Sequence, residues 1–213
     1  ALPVPPLHRL HVLDAGGVAT LTTAALAVNA HMVSAQYAGD TNFNTSTSNT
    51  VGQTVNKAGT TTVVVSDVNP SVFSQPVTFT ATVSPVAPGA GPPTGTGTFK
   101  DGITVLCNAV ALGGATAICT TSTLAAGGHA ISVDYSGDGN FNLSSSGVLT
   151  QTVNAATTTT VLDPGAPTVF GQSATLTATV SVGPPGTAIP TGTVDFLDGA
   201  TLLGSGTLNA SGI

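Results

Sequence analysis

Apolar and polar residues trade places one by one along several short stretches of this chain. From Val77, the residues Val77, Phe79, Ala81 and Val83 fall on one side and Thr78, Thr80 and Thr82 on the other. A period of two is the mark of a strand with one buried face. The same alternation sets Ile131, Val133 and Tyr135 against Ala130, Ser132 and Asp134, and a strand entered at Gly97 offers Phe99 inward. Threonine on the outer face keeps a β-branched preference for extended backbone while remaining polar. Clusters of Gly, Pro, Asn and Asp break these runs at Pro85 to Pro93, Asp101-Gly102, Gly113-Gly114, Gly127-Gly128 and Ser136 to Asn140. The spacing predicts about seven short strands with turns every ten or so residues, an all-β antiparallel sandwich of immunoglobulin type.

The strands are copied. YAGDTNFN at Tyr37 returns as YSGDGNFN at Tyr135, and the same offset of 98 carries His31 to His129 and QTVN at Gln53 to Gln151. A second set of matches, offset by 97, takes VFSQ at Val72 to VFGQ at Val169, TATVS at Thr80 to Thr177, and PTGT at Pro93 to Pro190. By this match Val33, Ala35 and Tyr37 are inward sites of an earlier copy. Ala174, Leu176, Ala178, Val180 and Phe196 are those of a later one. A spacing near a hundred residues is the size of a whole small domain, which predicts tandem immunoglobulin-like sandwiches that fold separately.

The repeat predicts a Pro-rich leader at 1–9, the second half of a repeat at 10–56, a complete repeat at 60–153 and the first half of another at 157–213. Short connectors at 56–59 and 154–156, without a Gly/Ser tract, predict a semi-rigid rod. The leader has neither a charged start nor a long apolar run, so it reads as neither signal peptide nor membrane span. The incomplete repeats at the ends read as a fragment of a longer protein. The alternative is that the halves complete one another between molecules by strand exchange.

Composition narrows the function. All nine acidic residues are Asp, and only Arg9, Lys57 and Lys100 are basic, for a formal net charge of −6. Binding nucleic acid or an anionic membrane requires clustered Lys and Arg, which this chain lacks. The 41% of hydrophobic residues, being periodic, can fill a core that a disordered tract of equally low charge could not.

Cys107 and Cys119 both lie in the complete repeat. A hairpin centred on Gly113 would place them directly opposite one another, at a disulfide-compatible separation. Their visible counterparts, Gly204 and Leu21, are not cysteines. A disulfide implies an oxidising compartment outside the cytoplasm; a reduced buried pair is the other reading. Two thiols alone cannot complete a tetrahedral metal shell.

PTGTGTFKDG at Pro93, GGATAICTTSTLAAGGH at Gly113 and YSGDGNFN at Tyr135 resemble the bacterial immunoglobulin-like (Big_3-type) repeat domains carried in tandem by secreted and cell-surface proteins. The resemblance runs from about Leu13 to the end of the chain. It implies a spacer or adhesive stalk, and it transfers no catalytic residue or cofactor.

Candidate chemistry is sparse. Asp134, Asp138 and Asn140 could offer oxygen ligands to calcium, although Asx residues in a tight loop ordinarily cap backbone donors. The earlier copy keeps Asp40 and Asn42 but has Gln36 in place of Asp134. His31 and His129 occupy equivalent places, as do Tyr37 and Tyr135, which reads as a folding role rather than a catalytic set. Phe43 and Phe141 are expected to plug a sandwich end. No GxSxG elbow or phosphate-cradling loop occurs. The expected function is a structural spacer at an extracellular or cell-surface site, with neighbouring repeats as partners; the alternative is a recognition module binding glycan or a surface protein through its end loops. Those loops, 85–93 and 183–190, are bland.

Overall fold

The computed structural model describes residues 13–163 and 165–213; the predicted leader 1–9 lies outside them. The chain forms two compact units divided after Lys57. The described part of the first holds β1 (Asn29–Val33), β2 (Gln36–Tyr37), β3 (Ser46–Thr47) and β4 (Val51–Val55). β1 pairs antiparallel with β4, and β2 with β3.

The second unit opens with a sandwich made of β5 (Thr60–Ser66), β6 (Ser71–Val72), β7 (Val77–Pro85), β8 (Thr96–Asp101), β9 (Thr104–Ala111), β10 (Thr116–Thr121), β11 (Gly127–Tyr135), β12 (Ser144–Ser145) and β13 (Leu149–Asn154). Seven are full strands, as the turn spacing predicts, and β6 and β12 are two-residue additions. One sheet has the order β10-β7-β5; the other runs β6-β13-β11-β8-β9, with β12 also paired to β11. The β6–β13 pair is parallel, so the chain changes sheets between β5 and β6.

The inward residues of β7 and β11 meet between the sheets. Val77, Phe79, Ala81, Ile131 and Val133 are buried with Phe99, Val64, Ala117, Cys119, Leu124 and Val153 in one cluster, while Val83, Tyr135 and Phe141 form a second towards one end. Phe79 and Phe99 are 0% exposed. Burying one such ring contributes roughly 1.5–3 kcal/mol by area removed from water. Gln151 is buried too: its Nε2 donates to the Val68 carbonyl at 3.0 Å and approaches Ser71 Oγ at 3.2 Å, tying the 68–71 loop to β13.

Side chains link the two sheets on both sides of the sandwich, beside edge strands that would otherwise invite pairing with other chains. On one side a disulfide joins Cys107 of β9 to Cys119 of β10, with a Cα separation of 6.0 Å. The pairing is as the cysteine spacing predicts, but the geometry is not. β9 pairs with β8 and β10 with β7, so the cystine spans the two sheets instead of two hairpin strands. Ala115, with φ 66°, turns the corner, and its carbonyl accepts the Val83 amide at 2.9 Å. On the other side Ser144 Oγ is hydrogen-bonded to Thr60 Oγ1 at 2.8 Å and Thr62 Oγ1 at 2.7 Å.

Beyond the sandwich follow β14 (Thr158–Leu162), β15 (Ala178–Val182), β16 (Thr193–Asp198) and β17 (Thr201–Thr207), paired β14 with β15 and β16 with β17. Burial here departs from the expectation. Ala178 is buried, but Ala174 and Leu176 lie exposed before β15 begins, and Phe196 is half-buried. The first unit departs likewise: Val33 and Ala35 are exposed, and Phe43, expected to plug an end, is 66% exposed. An inward face is buried only where an opposing sheet covers it. Among the described residues, the first unit has no counterparts of β5, β7, β8 and β9. The later segment has β16 and β17 in the places of β8 and β9 but no counterparts of β11 and β13, so Leu176 is only partly covered, in a cleft shared with Val194 and Phe196. Ala58, assigned by sequence to a connector, belongs instead to the sandwich: its amide donates to the Asn140 carbonyl and its carbonyl accepts the Asn142 amide, both at 2.9 Å.

Candidate functional site

The recurring YxGDxNFN motif builds one end of the sandwich. Gly137 takes φ 72°, and a Cβ there would lie 2.9 Å from the Phe141 carbonyl oxygen, so the turn admits only glycine without displacement. Asp138 Oδ1 then accepts the amides of Asn140 and Phe141, each at 2.8 Å. Its Oδ2 accepts the Thr94 amide at 2.7 Å and the Thr94 hydroxyl at 2.6 Å. Tyr135 Oη donates to the Thr94 carbonyl at 2.5 Å. Partial burial works against the charge on Asp138, but the donors from Thr94, Asn140 and Phe141 outweigh it and hold the carboxyl down at about 2. The Tyr135 hydroxyl is raised above its ordinary value, mainly by burial and further by the Asp138 charge.

The earlier copy repeats the loop without its neighbour. Asp40 Oδ1 accepts the Asn42 and Phe43 amides at 2.7 and 2.9 Å, Gly39 takes φ 76°, and Tyr37 Oη turns to Asp40 Oδ2 at 3.2 Å. The motif is therefore a locally folding Asx loop whose second carboxylate oxygen serves as a latch for the 94–95 segment when that segment is present.

The three candidate calcium ligands have distinct partners. Asp134 sits on β11, where it pairs with Lys100 of β8 and accepts the Ser145 hydroxyl at 2.6 Å; Lys100 and Ser145 together lower its carboxyl pKa. Asp138 is engaged by Thr94 and its own loop. Asn140 gives its amide to Asp138 and its carbonyl to Ala58. Among the described residues no group of three or more His, Cys, Asp or Glu side chains is placed to hold a metal.

His129 lies at the opposite end of β11. Its Nδ1 is 2.7 Å from Asp101 Oδ2 and its Nε2 is 2.8 Å from the Ala125 carbonyl. Both nitrogens face acceptors, which favours the doubly protonated ring. The Ala125 hydrogen bond raises its pKa most, burial works against this, and Asp101 adds to the rise. Asp101 Oδ1 also accepts the Ala130 amide at 3.0 Å, so the pair fastens the β8–β9 turn to β11. His31 makes the same bond to Ala27 at 2.8 Å. Sequence matching singles out the histidines but not Asp101, whose counterpart in the earlier copy would fall at Pro3.

These arrangements brace turns and tie neighbouring strands together. The fold is that of immunoglobulin-like β-sandwich modules, in which Asp138 and the Asp101–His129 pair brace turns. The chain belongs to the bacterial Ig-like domain (group 3) family, whose model matches residues 8–56 and 61–154. That family is not an enzymatic one. No individual curated protein matches the chain. Among the described residues no helix is long and apolar enough to cross a membrane.

Proposed function

We propose that this protein is a structural spacer: a run of tandem Ig-like modules, bounded near 10–56, 60–153 and 157–213, that holds another part of an extracellular or cell-surface protein at a distance. The observation that carries this reading is the internal use of the end-loop polar groups. Asp138, Thr94 and Tyr135 bond to one another, whereas a binding end presents convergent polar groups to a ligand. The cystine supports an oxidising compartment. The outer face of β7, with Thr78, Thr80 and Thr82, is polar without charge.

Inserting the whole chain between a surface anchor and a reporter epitope tests the proposal. Antibody access to the epitope is expected to rise over a direct fusion, and no gain would overturn the spacer reading. Glycan arrays and extracellular-matrix proteins are expected to stay silent; binding abolished by changes in loop 85–93 would establish the recognition module instead.

A further inference from the structure

Ser74 is a residue with a Cβ held at φ 64°, in the left-handed region that most side chains avoid. It lies in the turn between β6 and β7 and is buried. Its Oγ accepts two successive amides from the segment that follows the sandwich, Thr187 at 2.7 Å and Ala188 at 2.9 Å. The Thr187 hydroxyl returns a bond to the Ser74 carbonyl at 3.3 Å. Beside this clamp is a cleft of about 320 Å³ lined by Phe73, Ala156, Val182, Ala188, Ile189 and Pro190 among others. The turn is in turn anchored to the strand from which the chain leaves the sandwich, because the Phe73 amide donates to the carbonyl of Asn154, the last residue of β13, at 2.8 Å.

The later copy shows what the serine adds. There the same turn forms around Gly171 at φ 85°, with the Gln172 amide donating to the Val169 carbonyl at 2.9 Å, as the Gln75 amide does to Val72. In both copies the glutamine Oε1 accepts the valine amide, at 2.9 Å for Val72 and 3.3 Å for Val169. The backbone is thus built by either residue, and only serine supplies an acceptor pointing at the next module. The receiving side varies as well, since Thr187 and Ala188 correspond to Ala90 and Gly91 in the central sandwich.

We infer that the turn 72–75 is a socket for the 183–190 loop of the following module, and that the residue at the position of Ser74 sets the stiffness of that joint: serine locks it and glycine lets it pivot. Joint stiffness is then written position by position along the array. This rests on the spacer reading, in which modules follow one another, and it identifies the surface through which each engages the next.

The test uses the full chain. Amide hydrogen exchange is followed by NMR at Thr187 and Ala188, and residual dipolar couplings are collected for β7, β11, β15 and β16. In the unaltered chain both amides are expected to be protected and the four strands to fit one alignment tensor. S74G keeps a residue suited to the turn and removes the hydroxyl. It should raise exchange at both amides about tenfold, equivalent to about 1.4 kcal/mol, and split the tensor in two while the urea midpoint of the sandwich stays put. Unprotected amides in the unaltered chain, or S74G with exchange and tensor unchanged, would overturn the inference. S74A removes the same hydroxyl with Cβ retained and is expected to reproduce the loss of protection; normal protection in it would also overturn the inference. A pivoting joint in the unaltered chain leaves epitope access intact, so the two readings fail separately.

Discussion

Cys107 and Cys119 are bonded between two sheets: in register, Cys107 lies opposite Phe99 on β8 and Cys119 opposite Phe79 on β7. The cystine therefore ties together the strands neighbouring the two core rings at an edge where no backbone ladder joins β9 to β10. Its sequence separation of 12 corresponds to a loop-closure effect of about 3 kcal/mol. Reduction, or the C107S/C119S pair, should lower stability by that amount in urea titrations. An unchanged midpoint would show that the edge holds without the bond.

Phe79 and Leu176 occupy matching places in two copies, yet one is 0% and the other 41% exposed. F79A is expected to cost about 3–5 kcal/mol and L176A within about 0.5 kcal/mol. Chemical denaturation of the two variants checks this, and similar costs would mean that Leu176 reaches a core of its own.

The His129 pair makes stability depend on pH. Its folded pKa is raised above the unfolded value of about 6.5, so the contribution is fully present below that value and is lost as pH rises through the folded one. The urea midpoint should fall as pH rises above about 6.5. H129Q should flatten the slope; a slope that persists in H129Q belongs to another group.

Asp138 acts in the opposite direction. Its carboxyl is held at about 2, so its contribution is present above the ordinary carboxylate range and disappears as pH falls through about 2. D138N should destabilise by about 1–3 kcal/mol at neutral pH by removing charged acceptors from Thr94 and the loop amides, with the difference closing in acid. With these oxygens already engaged, calcium titration should give no heat beyond dilution in calorimetry. Calcium-dependent heat that is lost in D138N would make the loop a metal site.

Strand phase in the central repeat, most turn positions and the repeat itself were legible in the sequence because each depends on local rules: a period of two, residues suited to positive φ, and identity between copies. The Asp138 loop forms in both copies for that reason. Gly127-Gly128, expected as a turn, instead opens β11 and pairs with Val153 and Thr152, and the hairpin from which the cysteine pair is expected does not form. Sheet membership is a long-range property. Nothing local reveals that β9 and β10 part into different sheets, that Asp101 meets His129, or that Ser74 faces Thr187, because such contacts depend on which strands pack face to face. Burial has the same origin: alternation makes a core in residues 58–154, where a complete second sheet covers it, leaves Val33 exposed where no such sheet lies among the described residues of its unit, and leaves Leu176 41% exposed where only β16 and β17 stand opposite.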